Sequence, residues 1–158
     1  NPVMFFEHKQ LYRSIYQDVP INYYTIPFGK AALLKEGNEI TIISFGAGVH
    51  WALGVLKKHP EISADLLDLR TLQPLDVDSI IASVKKTNKV IILQEDTLFG
   101  GIASDISAMI MEQCFEYLDA PVKRVGIIET AIPFVKALED QYLPVNRFEK
   151  ELIELLNF

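Results

Sequence analysis

The chain has 158 residues, 49% of them hydrophobic, enough for one domain with a full core and too few for two. A net charge of −6 is spread unevenly, with seven acids and seven bases in residues 1–74, five against three in 75–111 and nine against five in 112–158. This excludes the clustered Lys and Arg that nucleic acid rewards and suits either a basic protein partner or a solvated helix face. No apolar stretch approaches the roughly 18 residues of a spanning helix, so no membrane partner is expected, and the single Cys114 excludes an internal disulfide and suits a reducing compartment.

The first element is a strand-like run, Pro2 to Phe6 (PVMFF), with no initiator Met ahead of it. No basic region precedes it and no small-residue cleavage site follows, so a signal peptide is a poor reading and a piece of a longer polypeptide is expected. The stretch SIYQDVPINYYTIPFG is rich in Pro and Tyr, lacks either regular period and reads as a connection lying on a surface.

A regular alternation follows. Lys30 to Lys35 is a strand candidate, Gly37-Asn38 a turn, and Ile40 to Phe45 (ITIISF) a continuous apolar run typical of a strand buried on both faces. The KEGNE turn is too short for a crossover, which predicts an antiparallel pairing of these two strands. A helix is expected over Val49 to Lys58, a strand over Ser63 to Leu69, and a helix over Asp76 to Lys86 after Pro74. Val90 to Gln94 is a further apolar strand, Ile102 to Tyr117 a helix with a stripe from Ile102 to Cys114, Val122 to Ile128 the last strand and Arg147 to Leu156 an amphipathic helix. Strands alternating with helices predict a three-layer α/β/α fold whose sheet of about five strands is mostly parallel.

Ligands of open α/β sheets gather beyond the carboxyl ends of strands. Gly46-Ala47-Gly48-Val49-His50 follows a strand and opens a helix as a phosphate cradle would, yet lacks the third Gly of a dinucleotide fingerprint and the Lys of a P-loop, so tight-turn geometry is favoured. Glu95-Asp96 ends a strand just before Gly100-Gly101; general acid–base work is one reading, an Asp cap with close-packed glycines the other. Arg70, in Asp68-Leu69-Arg70-Thr71, is available to a phosphate or carboxylate, or to an internal ion pair with Asp68 or Glu95. His8, His50 and His59 stand in unrelated settings, and neither a Ser-His-Asp triad nor a metal site can be assembled.

Together, NPVMFFEHKQLYR, ALLKEGNEITIISFGAGVHWAL, LLDLRTLQPLD, QEDTLFGGIASDI and FEYLDAPVKRVG resemble the C-terminal part of the β subunit of thiamine-diphosphate-dependent 2-oxoacid dehydrogenases, nearest the branched-chain and pyruvate types. The likeness runs from Pro2 to Phe158. It implies a transketolase C-terminal domain over residues 30–158 with the first of its strands antiparallel, a linker at 14–29, and residues 1–13 as the last strand and exit of a preceding pyrimidine-binding domain.

The resemblance implies a parent enzyme that oxidatively decarboxylates a 2-oxoacid and acylates lipoyl groups with thiamine diphosphate and Mg²⁺, in the bacterial cytoplasm or the mitochondrial matrix. That cofactor is held by other domains, so no catalytic or cofactor residue is expected in this chain. The implied partners are an α subunit or α-like domain, a second β copy, and the basic peripheral subunit-binding domain of the acyltransferase core. Asp119, in the LDAP stretch, and the terminal carboxylate of Phe158 match the family's docking pattern. His50 matches a recurring His that is not read as catalytic, and Gln94 stands where relatives often carry His, while Glu95 is retained. The same domain from a transketolase or deoxyxylulose-phosphate synthase, and a free-standing nucleotide-binding module using Gly46, Gly48 and Arg70, are the alternatives.

Overall fold

Five short runs rich in Ile, Leu and Val form one sheet: β1 (Ala32–Lys35), β2 (Ile40–Ser44), β3 (Ala64–Asp68), β4 (Val90–Thr97) and β5 (Lys123–Ile127), in the order β1-β3-β2-β4-β5. The computed structural model describes residues 2, 4 and 6–158. β2, β3, β4 and β5 are parallel, and β1 alone runs antiparallel, at the edge.

Successive side chains on the central strands point to opposite faces, and both faces are covered. Ile40, Ile42, Leu66, Ile91 and Leu93 meet α2 (Ala47–Lys58) and α6 (Val145–Leu156) through Ala52, Val55, Phe148 and Leu152. Ile43, Leu67 and Ile92 meet α3 (Val77–Thr87) and α4 (Ile102–Cys114) through Ile80, Val84, Ile106 and Ile110. The three-layer α/β/α architecture with a reversed first strand is as the sequence predicts.

The partner of the reversed strand differs from the expectation. β1 pairs with β3, not with β2. The KEGNE segment is a step rather than a hairpin: Asn38 and Glu39 N–H both donate to the Ser63 carbonyl, at 3.1 and 2.8 Å, as the chain crosses the amino end of β3. Two strand spacings are about 9.6 Å, and four residues reach about 13 Å. Gly37 sits against the Ala64 backbone, where a Cβ would overlap it, so the step can lie flat. Its N–H donates to Asp65, a carboxylate only 1% exposed that also accepts from Ser83 Oγ and Lys86 Nζ, both at 2.7 Å.

Helix boundaries shift by a few residues. α2 begins at Ala47, Asp76 is the N-cap of α3 rather than its first residue, and the helix expected through Tyr117 ends at Cys114 in a 3₁₀ turn, Phe115–Tyr117. The single-turn α1 (Leu11–Ser14) and α5 (Lys136–Tyr142) are absent from the sequence reading. Of the strand expected at 2–6, Val3 and Phe5 lie outside the described residues, and Pro2, Met4 and Phe6 are exposed and in no strand. Residues 15–28 carry no helix or strand, and the segment after them is tied down by Gly29 N–H donating to Thr71 Oγ1 and Ala31 N–H donating to Asp76, both at 2.9 Å.

Candidate functional sites at the two ends of the sheet

The carboxyl ends of β2 and β3 open on a cavity of about 790 Å³ lined by Leu11, Phe28, His50, Leu53, Asp68 and Arg70, among others. His50 sits on the first turn of α2, where burial pushes its imidazole below the ordinary value and Asp68 opposes that push. Arg70 stands in the left-handed region at φ 56°, a conformation that costs a non-Gly residue energy. Its N–H donates to Asp68 Oδ1 at 3.1 Å, which shapes the turn. The ion pairs expected with Asp68 or Glu95 do not form: none of the pairs among the described residues involves the Arg70 guanidinium.

Glu95 instead pairs with His8, Nε2 to Oε2 at 3.0 Å, fastening the N-terminal segment over the end of β4. Asp96 accepts from Thr97 N–H at 2.7 Å and caps no helix. The residue that joins this strand end to α4 is Gln94, fully buried: its Oε1 accepts from Ala103 N–H at 2.9 Å and its Nε2 donates to the Thr97 carbonyl at 2.6 Å. The signal for Gln94 in the sequence is its place as the last buried position of an apolar strand, beyond its departure from the His that relatives often carry.

The second glycine of each turn serves packing. A Cβ on Gly48 would overlap Ser44 Oγ, which donates to the Leu93 carbonyl at 2.9 Å, and one on Gly101 would overlap the Gln94 amide. Gly46 and Gly100, by contrast, stand in open space at φ 56° and 73°, and Gly46 lines the carboxyl-end cavity, with no Lys in the Gly46–His50 turn to meet a phosphate. Among the described residues no group of three or more His, Cys, Asp or Glu is placed to hold a metal ion. His59 is the C-cap of α2, at the opposite end of that helix from the Gly46–Gly48 turn, bonded to Glu61 and Glu149.

At the opposite, amino end, Asp119 and Phe158 come together. Both line a groove of about 450 Å³ whose walls include Met111, Phe115, Pro121 and Val122. Phe158 is 74% exposed. Asp119 also faces a recess of about 490 Å³ that holds Glu39, Glu61 and Lys89, so three carboxylates edge this corner. Glu61 is held below the usual carboxylate range by its own N–H, with His59 adding to the effect. An apolar floor with an acidic rim can bind a group that is apolar at its tip and cationic beside it.

A parallel sheet with one reversed edge strand, covered on both faces and carrying its open sites at the strand ends, defines an open α/β/α domain. Residues 29–147 match the family model for the transketolase C-terminal domain, and the chain belongs to that family. It is 46% identical over 147 residues to the mitochondrial 2-oxoisovalerate dehydrogenase subunit beta of Dictyostelium discoideum, covering 91% of this chain and 39% of that one. It is 45% identical over 146 residues to the pyruvate dehydrogenase E1 component subunit beta of Bacillus subtilis (strain 168), covering 91% and 45%. Among solved structures, a split gene transketolase, an inactive beta4 tetramer, aligns with a TM-score of 0.71 at 26% identity, covering 85% of this chain and 43% of that one. The chain thus spans less than half the length of these relatives.

Proposed function

We propose that the chain is the C-terminal assembly and docking domain of the decarboxylating component of a 2-oxoacid dehydrogenase complex. The observation that carries this reading is the convergence of Asp119 and Phe158, 39 positions apart in sequence, in one groove with an apolar floor, beside a recess that adds Glu39 and Glu61. High identity to β subunits, against 26% to a transketolase, favours this branch over the other thiamine enzymes. The lack of a third Gly and of a P-loop Lys in the Gly46–His50 turn argues against a nucleotide module.

In this reading the parent enzyme oxidatively decarboxylates a 2-oxoacid and acylates a lipoyl group, using thiamine diphosphate and Mg²⁺ held by other domains. Residues 1–13 end a preceding pyrimidine-binding domain and 14–29 link it to this one. The partners are an α subunit or α-like domain, a second β copy, and the basic peripheral subunit-binding domain of the acyltransferase. The near-equal likeness to proteins named for 2-oxoisovalerate and for pyruvate fits a domain remote from substrate selection. His50, Arg70 and Glu95 shape the carboxyl end and take no part in docking.

Calorimetric titration of the protein with a peripheral subunit-binding domain, at low and moderate ionic strength, tests the reading. Binding that weakens as salt rises is expected, since exposed charge pairs act over about a Debye length. No binding at low salt would overturn it.

A further inference from the structure

Asp119 lies beyond the 3₁₀ turn at the end of α4, in an exposed connection to β5, with nothing in its own element to fix it. The neighbouring fixed points belong to the junction between α3 and β4. Asn88 is the C-cap of α3, left-handed at φ 61°, its N–H donating to the Val84 carbonyl at 2.8 Å. From there its side-chain Nδ2 donates to the Tyr117 carbonyl at 2.6 Å, and its own carbonyl accepts from Asp119 N–H at 2.9 Å. Lys85, on the last turn of the same helix, stands over the Tyr117 ring at 4.5 Å.

The adjacent residue reaches the other half of the groove. Lys89 Nζ donates to the Leu156 carbonyl at 3.0 Å, close to the end of α6 and two residues before Phe158. Lys89 is itself fixed from the sheet side, because its carbonyl accepts from Thr41 N–H at 2.8 Å. Two consecutive residues therefore tie the backbone of Tyr117–Asp119 and the end of α6 to one rigid point of the core.

We propose that Asn88 and Lys89 are positioning residues for the docking groove, Asn88 setting Asp119 and Lys89 setting Phe158, so that the partner meets a carboxylate and an aromatic ring already in place. This rests on the docking reading above. A group fixed before binding costs less entropy to immobilise on binding, and both ties are made in the chain by itself. Asn suits the left-handed cap, and Gly at position 88 keeps that backbone while removing only the amide.

The test is calorimetric titration of an isolated peripheral subunit-binding domain into the protein and its variants. Asn88→Gly is expected to weaken binding about two- to tenfold, the worth of one hydrogen bond. In an Asp119→Asn background that penalty should fall to within about twofold, because residues acting through one another do not add. Lys89→Met should show the same collapse in a Phe158→Ala background, and Lys89→Arg should restore binding. Thermal melting confirms that each variant is folded at the titration temperature. Wild-type affinity in Asn88→Gly, or an equal penalty with Asp119 present or replaced, overturns the positioning role while leaving docking intact. Wild-type affinity in Asp119→Asn overturns the docking site, and this inference falls with it.

Discussion

Asp119 carries an exposed charge in no ion pair among the described residues, while its backbone is anchored through Asn88. Replacing it by Lys reverses one charge at the groove without touching the core. Asp119→Lys is expected to lower affinity for a basic subunit-binding domain by about tenfold or more at low salt, with an unchanged melting temperature and a shallower salt dependence. Gln94 is the opposite case, a polar side chain with no solvent contact whose amide bonds at both ends. Gln94→Leu leaves Ala103 N–H and the Thr97 carbonyl without their partner, which costs about 1–3 kcal/mol, to be read as a lower midpoint in urea unfolding. The sequence states that position 94 is Gln at the end of an apolar strand; it does not state that the helix start at Ala103 folds back onto it, because that contact depends on the turn at 100–101.

α2 and α6 are joined by an ionic cluster as well as by packing. His59 Nε2 meets Glu149 Oε1 at 2.8 Å and Nδ1 meets Glu61 at 3.2 Å, while Lys58 Nζ meets Glu149 Oε2 at 2.9 Å. The hydrogen bond to Glu149 foremost, then that to Glu61, raises His59 above 6.5, and the bonds from His59 and Lys58 hold Glu149 below 4.5. A raised His contributes fully below 6.5 and loses its contribution as pH climbs through its folded value. A depressed carboxylate contributes above 4.5 and loses its contribution as pH drops through its folded value. The clamp is therefore complete between those limits, and the protection of α6 amides, taken relative to their intrinsic exchange rate at each pH, should fall as pH rises beyond 6.5 through the folded value of His59; His59→Gln should flatten that fall. The elements themselves were readable where periodicity is strong. β2, β4 and α3 fall within a few residues of expectation because burial on one or both faces dictates their patterns. α5 was not readable, since Lys136–Tyr142 buries only Tyr142 and owes its place to Arg147, which donates to the carbonyls of Gln141, Tyr142 and Gly126.

Across the whole molecule, the two groups of candidate residues sit at opposite poles. His50, Arg70 and Glu95 lie at the carboxyl ends of the strands and Asp119 and Phe158 at the amino ends, about 17 Å apart along a five-residue strand. Alanine at His50 or Arg70 should accordingly leave affinity for the subunit-binding domain within about twofold of wild type, checked in the same titration. The pairing of β1 shows why topology outran the sequence. A short connection predicts neighbouring strands, whereas Gly37 lets this one step across β3 instead.

That reversed strand also decides which pole the incoming chain occupies. Ala32 lies opposite Asp68 and Lys35 opposite Leu66, so β1 descends from the carboxyl pole, and residues 17 and 26–28 are left beside the cavity there. Had β1 run parallel to its neighbours, the polypeptide leading into it would have arrived at the rim shared by Glu39, Asp119 and Phe158. One inverted strand of four residues thus makes the domain two-faced, with the chain that leads into it at one pole and the groove of Asp119 and Phe158 at the other.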